Sequence, residues 1–272
     1  MMNIDFQFKD RYNCDDLIKI VSVLRAPGGC PWDAEQTHES IRKDFIEETY
    51  EVIEAINKNS VEMLREELGD VLLQVVFHTS IETEKGNFNF DDVADEICKK
   101  LIVRHPHVFG DVSVSSTQEV LTNWDAIKRQ TKKQATVSDS IASIPRELPA
   151  LMRAQKVQKK AAKAGFDWDD IQGAFMKISE EADEVSLALK GKNTDEITDE
   201  LGDLLFAVVN VSRFADVDSE EALTRATDKF AARFALVEEM AEKQGIDMKN
   251  ASLETLDALW DKAKLIIKEQ TP

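Results

Sequence analysis

Apolar residues recur along this chain three and four positions apart, the spacing of one helix face, and no stretch of useful length alternates as a strand does. Residues 14–25 place Leu17, Ile20, Val21 and Leu24 on one face behind Asp15 and Asp16, and Pro27-Gly28-Gly29-Cys30-Pro31 ends the run. A loop carrying Trp32 and Asp33 leads into a helix predicted over about 40–57, striped by Ile41, Phe45, Val52, Ile53 and Ile56. Lys58-Asn59-Ser60 interrupts it. The next helix, from Val61 to about Thr83, carries Leu64, Leu68, Val71, Leu72, Val75 and Val76, and Gly86-Asn87 breaks the pattern again. A helix over about 90–103 stops at His105-Pro106-His107, because proline lacks an N–H and restricts the residue before it. One more, over about 117–130, completes the first half.

Residues 131–149 are polar and punctuated by Pro145 and Pro149, which suits a linker. The expected organisation is therefore a first domain over 1–130, a linker over 131–149 and a second domain over 150–272. The second half opens with a helix over about 149–164 bearing Lys156, Lys159, Lys160 and Lys163, a stripe that reads as a solvated face. Gly165-Phe166-Asp167-Trp168-Asp169 forms a loop, and helices follow near 171–190, 194–214, 219–244 and 253–269. Apart from the short Val112-Ser113-Val114, nothing reads as a strand. The fold class is all-α, in two tandem helical domains.

The two halves repeat each other. Glu48, Glu51, Glu67 and Asp70 return as Glu181, Glu184, Glu200 and Asp203, each displaced by 133 positions (181 − 48, 184 − 51, 200 − 67, 203 − 70). Within each pair the acids are three apart and share a helix face. The midpoint of 184 and 200 is 192, as is that of 181 and 203, and residue 192 lies in the helix-breaking Gly191-Lys192-Asn193. Two antiparallel helices folding there bring four carboxylates to one level. The first-half midpoint, 59, falls in Lys58-Asn59-Ser60. Trp32-Asp33 answers Trp168-Asp169, Lys100…Arg104 answers Lys229…Arg233, and Trp124…Lys128 answers Trp260…Lys264. Gly69 and Gly202, inside predicted helices, suggest close packing there.

Composition narrows the function. A net charge of −18 disfavours nucleic acid and anionic membrane as partners. No run approaches the roughly 20 apolar residues that span a bilayer, and the polar start lacks the apolar segment of a signal peptide, so a cytoplasmic protein is expected. Cys14, Cys30 and Cys98 are scattered without metal spacing and are expected to be reduced thiols. His38, His78, His105 and His107 show no ligand spacing either and are taken as structural or surface residues.

Four facing carboxylates are costly when empty, since like charges about 5 Å apart repel by roughly 3 kcal/mol at an effective dielectric near 20. They call for a cation. Oxygen ligands without His or Cys favour Mg²⁺, with Mn²⁺ a possible substitute, and Mg²⁺ shares its free positions with substrate phosphates. Solvation of an acidic helix face is the competing reading for one half alone; its repetition argues against it. Lys229 and Arg233, and Trp260 and Lys264, are spaced by four and co-facial, suiting a polyphosphate, with a surface salt bridge as the alternative for the first pair and a core anchor for Trp260. Lys177, one turn before Glu181, could reach a phosphate or simply pair with that acid.

Taken together, Glu47-Glu48-x-x-Glu51…Glu67-x-x-Asp70 and Glu180-Glu181-x-x-Glu184…Glu200-x-x-Asp203 resemble the motifs of the MazG nucleoside triphosphate pyrophosphohydrolases. Gly29-Cys30-Pro31-Trp32-Asp33, Arg104-His-Pro-His-Val-Phe109 and Phe230-Ala-Ala-Arg-Phe234 add to the likeness, which covers nearly the whole chain in its two-domain form. The resemblance implies an all-α homodimer that uses Mg²⁺ to hydrolyse nucleoside triphosphates to the monophosphate and pyrophosphate. It implies Glu181, Glu184, Glu200 and Asp203 as metal ligands and catalytic groups, with Lys229 and Arg233 also catalytic. Lys177, Glu180, Glu181, Lys229, Arg233, Trp260 and Lys264 are implied on the substrate side, and Glu48, Glu51, Glu67 and Asp70 as a possible second metal site. The same resemblance implies the second domain as the catalytic one, and the first departs from its pattern at His105-Pro106-His107, though its four carboxylates are intact. In the expected reaction a metal-activated water attacks the α-phosphorus, one acid takes its proton and pyrophosphate leaves. Two rival readings are a non-catalytic nucleotide-sensing helical module and a ferritin-like di-iron oxidase, the latter lacking its Glu-x-x-His element here.

Overall fold

The structure, a computed structural model, describes residues 6–131 and 136–270. Among them are thirteen helices and no strand, so the chain is all-α as its periodicity predicts. It divides into two compact units, Met1–Lys128 and Arg129–Pro272. The first holds α1 (Cys14–Arg25), α2 (Pro31–Glu35), α3 (Arg42–Asn57), α4 (Val61–Glu84), α5 (Phe90–Arg104), α6 (Pro106–Phe109) and most of α7 (Thr117–Thr131). The second holds α8 (Val137–Ala142), α9 (Ala150–Ala162), α10 (Ile171–Gly191), α11 (Thr194–Phe214), α12 (Ser219–Gln244) and α13 (Leu253–Gln270).

Each unit contains a long two-helix hairpin, α3–α4 in the first and α10–α11 in the second. Asn59 and Lys192, the two midpoint residues, both turn the chain through the left-handed region, with φ of 52° and 59°. Non-glycine residues enter that region rarely, asparagine more readily than lysine. The residue after each turn caps the outgoing helix: Ser60 Oγ accepts from Met63 N–H, and Asn193 Oδ1 accepts from Asp195 N–H. The hinge is thus built twice by the same device.

In the first unit α1 packs across α4, and Val21, Ile41, Val76, Phe77 and Ile81 form the core with Leu17, Ile18, Leu73 and Phe90 around it. Arg25 ties the following loop to that core. Its Nε and NH2 donate to Glu84, its NH1 donates to the Asp33 and Gln36 carbonyls, and its guanidinium lies 5.0 Å from the Phe77 ring centroid. Gly29 passes so close beneath α1 that a Cβ there would meet the Val23 and Leu24 carbonyl oxygens at 2.3 and 2.4 Å. That approach explains the glycine of Gly29-Cys30-Pro31-Trp32-Asp33. His38 and His78, distant in sequence, stack with ring centroids 5.0 Å apart and share an Nδ1···Nδ1 contact of 2.7 Å. His38 Nε2 also meets Glu82 at 2.6 Å, so the turn before α3 is fastened to α4.

In the second unit α12 and α13 enclose Val237, Ala241, Leu259 and Ala263. Polar side chains of α9 fasten the other elements. Gln155 donates to the Val217 carbonyl and accepts from Ser219, while Gln158 donates to the Phe206 carbonyl of α11.

Several elements differ from the sequence-based expectation. Residues 31–35, expected as loop, form α2, because Pro31 occupies the first helical turn where a missing N–H costs nothing. Pro106 stops α5 and by the same logic starts α6. The stretch expected as a linker contains α8, started by a reciprocal capping box between Thr136 and Asp139, while its residues 132–135 lie outside the described residues. Trp32 opens a helix whereas Trp168 lies in the loop before α10, so this sequence match has no matching local structure. Close packing at Gly69 and Gly202 is overturned: a Cβ at either would meet nothing within 4 Å.

Replacing Gly29 by Ala drives a methyl into backbone and is expected to cost roughly 1–3 kcal/mol. Leu259→Ala empties a fully buried position in the second core and is expected to cost about 2–5 kcal/mol. Urea unfolding of each variant measures both.

Candidate functional site

The paired acids lie on the facing hairpin helices, as equal distances from the hinge require. In the second unit Glu181, Glu184 and Glu200 each offer an oxygen, and the three lie within 4.8 Å of one another. Glu181 is buried, with 5% of its surface exposed. Asp203, on exposed surface of α11, stands outside this triple. Lys177 places its Nζ 2.6 Å from Glu181 Oε1 and 2.8 Å from Glu180 Oε1, so it holds both acids at once. The hydrogen bond from Lys177 holds the Glu181 carboxyl below its usual range, and the two acids raise the Lys177 ammonium in turn. Glu184 moves the other way. Hydrogen bonding to Glu181, burial and the charges of Glu181 and Glu200 push its carboxyl up.

The first unit gathers a different three. Glu48, Glu67 and Asp70 bring oxygens within 4.8 Å of one another, and Glu51 lies against Glu48 and Glu67 beside them. Burial first, then neighbouring acids, raises both Glu48 and Glu67. Each set of oxygens is able to hold a cation.

Lys229 and Arg233 lie on α12, which packs against α11. Lys229 is exposed. The Arg233 guanidinium lies over Trp260, 5.8 Å from the ring centroid, and Phe230 approaches the same ring at 5.0 Å. Trp260 itself packs on the α12–α13 core, so its core-anchor role holds. Lys264 pairs with Asp261 at 2.7 Å. No hydrogen bond or ion pair among the described residues joins Lys229, Arg233, Trp260 or Lys264 to the acids of α10 and α11. The arrangement recurs in the first unit, where Arg104 and Lys128 lie 5.2 and 5.1 Å from the Trp124 ring centroid. The Nε of Arg233 and of Arg104 are both buried without a hydrogen-bond partner among the described residues.

Residues 36–109 and 172–238 both match the MazG nucleotide pyrophosphohydrolase domain, each stretch containing one acid-bearing hairpin. The chain belongs to the MazG family. It is 47% identical to a nucleoside triphosphate pyrophosphohydrolase/pyrophosphatase MazG of Thermotoga maritima, over 92% of this chain and 95% of that protein. It is 44% identical to a nucleoside triphosphate pyrophosphohydrolase of Escherichia coli K12, over 92% of this chain and 96% of that protein. The uncharacterized protein YabN of Bacillus subtilis is 47% identical over 90% of this chain, which corresponds to half of YabN.

Two features of the acids in this MazG chain go beyond what spacing shows. The double engagement of Lys177 depends on rotamers that sequence does not specify. The three-and-one division of each acid set depends on helix rotation finer than a count of residues.

The raised Glu48 and Glu67 carboxyls set a pH dependence. A carboxyl whose folded pKa lies above its unfolded value contributes stability below the unfolded pKa and loses it as pH rises through the folded pKa. In metal-free protein, Glu48→Gln/Glu67→Gln is therefore expected to match the parent in melting temperature near pH 4. The variant should melt higher at pH 7, where only the parent carries the repulsion. Thermal melts across this range give the comparison; a variant that melts lower at pH 7 contradicts the electrostatic account.

Proposed function

We propose that this chain hydrolyses nucleoside triphosphates to the monophosphate and pyrophosphate, cutting between the α- and β-phosphates. Mg²⁺, with Mn²⁺ as a substitute, would be held by Glu181, Glu184, Glu200 and Asp203 of the second unit. The observation that carries this reading is the convergence of three carboxylate oxygens on one hairpin of a MazG chain. The names of the relatives from Thermotoga maritima and Escherichia coli support it. The donor set fits the ion: all oxygen, no thiolate or imidazole, and crowded enough to push Glu184 up. Such an ion, when bound, offsets phosphate charge and makes water a stronger nucleophile.

The chain's own residues supply the rest. Arg233, braced on Trp260, offers planar donors to phosphate oxygens, and Lys229, one helical turn away on the same face, offers a point charge. Trp260 carries an aromatic surface beside them on which a base can stack, and Lys264 stands one turn further along α13. One acid of the hairpin takes the proton of the attacking water. The Glu48, Glu51, Glu67 and Asp70 set forms a second cation site in the first unit.

The active form is a homodimer. Leu201 and Leu205, exposed on α11, share a helix face beside the open space at Gly202, and Leu187 is exposed on α10. Apolar area of this kind is what a second copy would cover. No helix among the described residues is long and apolar enough to cross a membrane, and the acidic surface disfavours nucleic acid. A cytoplasmic role in housekeeping or stress regulation of the nucleotide pool fits these properties.

Incubation with mixed nucleoside triphosphates and Mg²⁺ is expected to release pyrophosphate and monophosphate. Orthophosphate with diphosphate would overturn the bond assignment, and metal-dependent binding without turnover would make the chain a nucleotide sensor instead. Glu200→Gln and Asp203→Asn are each expected to lower turnover by at least roughly 10²-fold; loss on changing Glu67 and Asp70 alone would move catalysis to the first unit. Light scattering should give twice the chain mass for the parent and one chain mass for Leu205→Glu, whose charge cannot be buried in such a contact.

A further inference from the structure

The two acid sets differ in one feature that the repeat makes plain. In the second unit Lys177 Nζ touches the cluster acid Glu181, whose side chain is 6% exposed, and the outlying acid Glu180, whose side chain is 58% exposed. At the corresponding place in the first unit (177 − 133 = 44) stands Asp44, in the first turn of α3. No ion pair among the described residues joins a lysine or arginine to Glu48, Glu67 or Asp70, whose oxygens lie within 4.8 Å of one another. One set therefore carries a cation of its own, where the other has an acidic residue at the corresponding position.

We propose that Lys177 is a built-in counter-ion of the second acid set, displaced from Glu181 when a divalent cation loads, so that the second set takes up metal less readily than the first. This rests on the metal-binding reading given above. The exchange adds one positive charge to the set: a divalent ion enters beside Glu181, Glu184 and Glu200, and a single ammonium leaves Glu181 while keeping Glu180. Keeping one partner is what allows the lysine to leave without being stranded. Once released, it needs a second anion, and a phosphate oxygen of a metal-borne ligand supplies one. Metal and triphosphate binding in the second unit are then coupled through Lys177, each favouring the other. The first unit, with no ammonium paired to Glu48, Glu67 or Asp70 among the described residues, takes up metal without that coupling.

Mn²⁺ alone, titrated into the full-length chain with the free ion followed by electron paramagnetic resonance, tests this directly. Two phases are expected. Glu67→Gln/Asp70→Asn should remove the tighter and Glu200→Gln/Asp203→Asn the weaker. Lys177→Met should tighten the weaker phase by roughly five- to tenfold, up to about 1.4 kcal/mol. Lys177→Arg, which keeps the cation, should leave it near the parent value. Lys190→Met, on the same helix and exposed, makes the same change in net charge and should also leave it unmoved. A weaker phase that Lys177→Met leaves unchanged or weakens further overturns the counter-ion role while the metal sites stand. An equal gain in Lys190→Met overturns it too, as does loss of the weaker phase in the first-unit variant. Absence of Mn²⁺ binding in the parent removes the metal reading itself, and the counter-ion role with it.

Discussion

Carboxylates brought level on two packed helices repel one another, and much of each hairpin is arranged around that repulsion. The hinge fixes it. Because Asn59 and Lys192 turn the chain at the midpoints of the acid pairs, residues equidistant from the turn must face each other, and four of them in each unit are acids. In the first unit burial and the neighbouring acids raise Glu48 and Glu67. Against the same repulsion the second sets an ammonium, which holds Glu181 down and leaves Glu184 to bear the crowding. The same backbone device therefore delivers two different electrostatic environments.

How much of this was legible in the sequence follows from the range over which each feature is decided. The long helices, the hinge position and the duplication follow from spacing within single segments, and the structure has them. Short helices escaped because four to six residues carry too little periodicity to register. In α2 and α6 the proline that reads as a breaker is in fact the first helical residue. The His38–His78–Glu82 contact joins positions brought together only by tertiary packing, so metal spacing along the chain gave no hint of it. Gly69 and Gly202 misled in a different way. Glycine within a helix suggests close approach, but a Cβ at either position would meet nothing within 4 Å.

The hairpins are also thinly buried. Of α10 only Ala174, Glu181 and Ala188 are buried, and of α11 only Ala207 and Val209, while the apolar core cluster of this unit lies between α12 and α13. Helices of this length with so little covered surface depend on further packing for their stability. The polar pins from α9 supply part of it: Gln158 reaches the Phe206 carbonyl near the middle of α11, and Gln155 fixes the turn into α12. The acids lie close to these supports: Glu181 is the central residue of α10 and one of its few buried ones, and Asp203 stands one turn before Phe206 on α11.

Duplication and divergence can then be separated on physical grounds. What the halves retain is geometry: the left-handed hinge, the facing acids and an arginine over a tryptophan, Arg104 on Trp124 and Arg233 on Trp260. What they have changed is how charge and helix continue from that geometry. Pro106 ends α5 immediately after Arg104, whereas α12 runs on from Arg233 to Gln244 and carries Val237 and Ala241 into the core. Arg233 is therefore anchored on both sides along its helix and Arg104 on one. A guanidinium that must meet a phosphate in one orientation benefits from the first arrangement, because less freedom is lost on binding. Lys177 stands in the same half as the longer helix, with Asp44 at the corresponding place in the other, so the halves differ both in helix continuity and in the charge carried at that position.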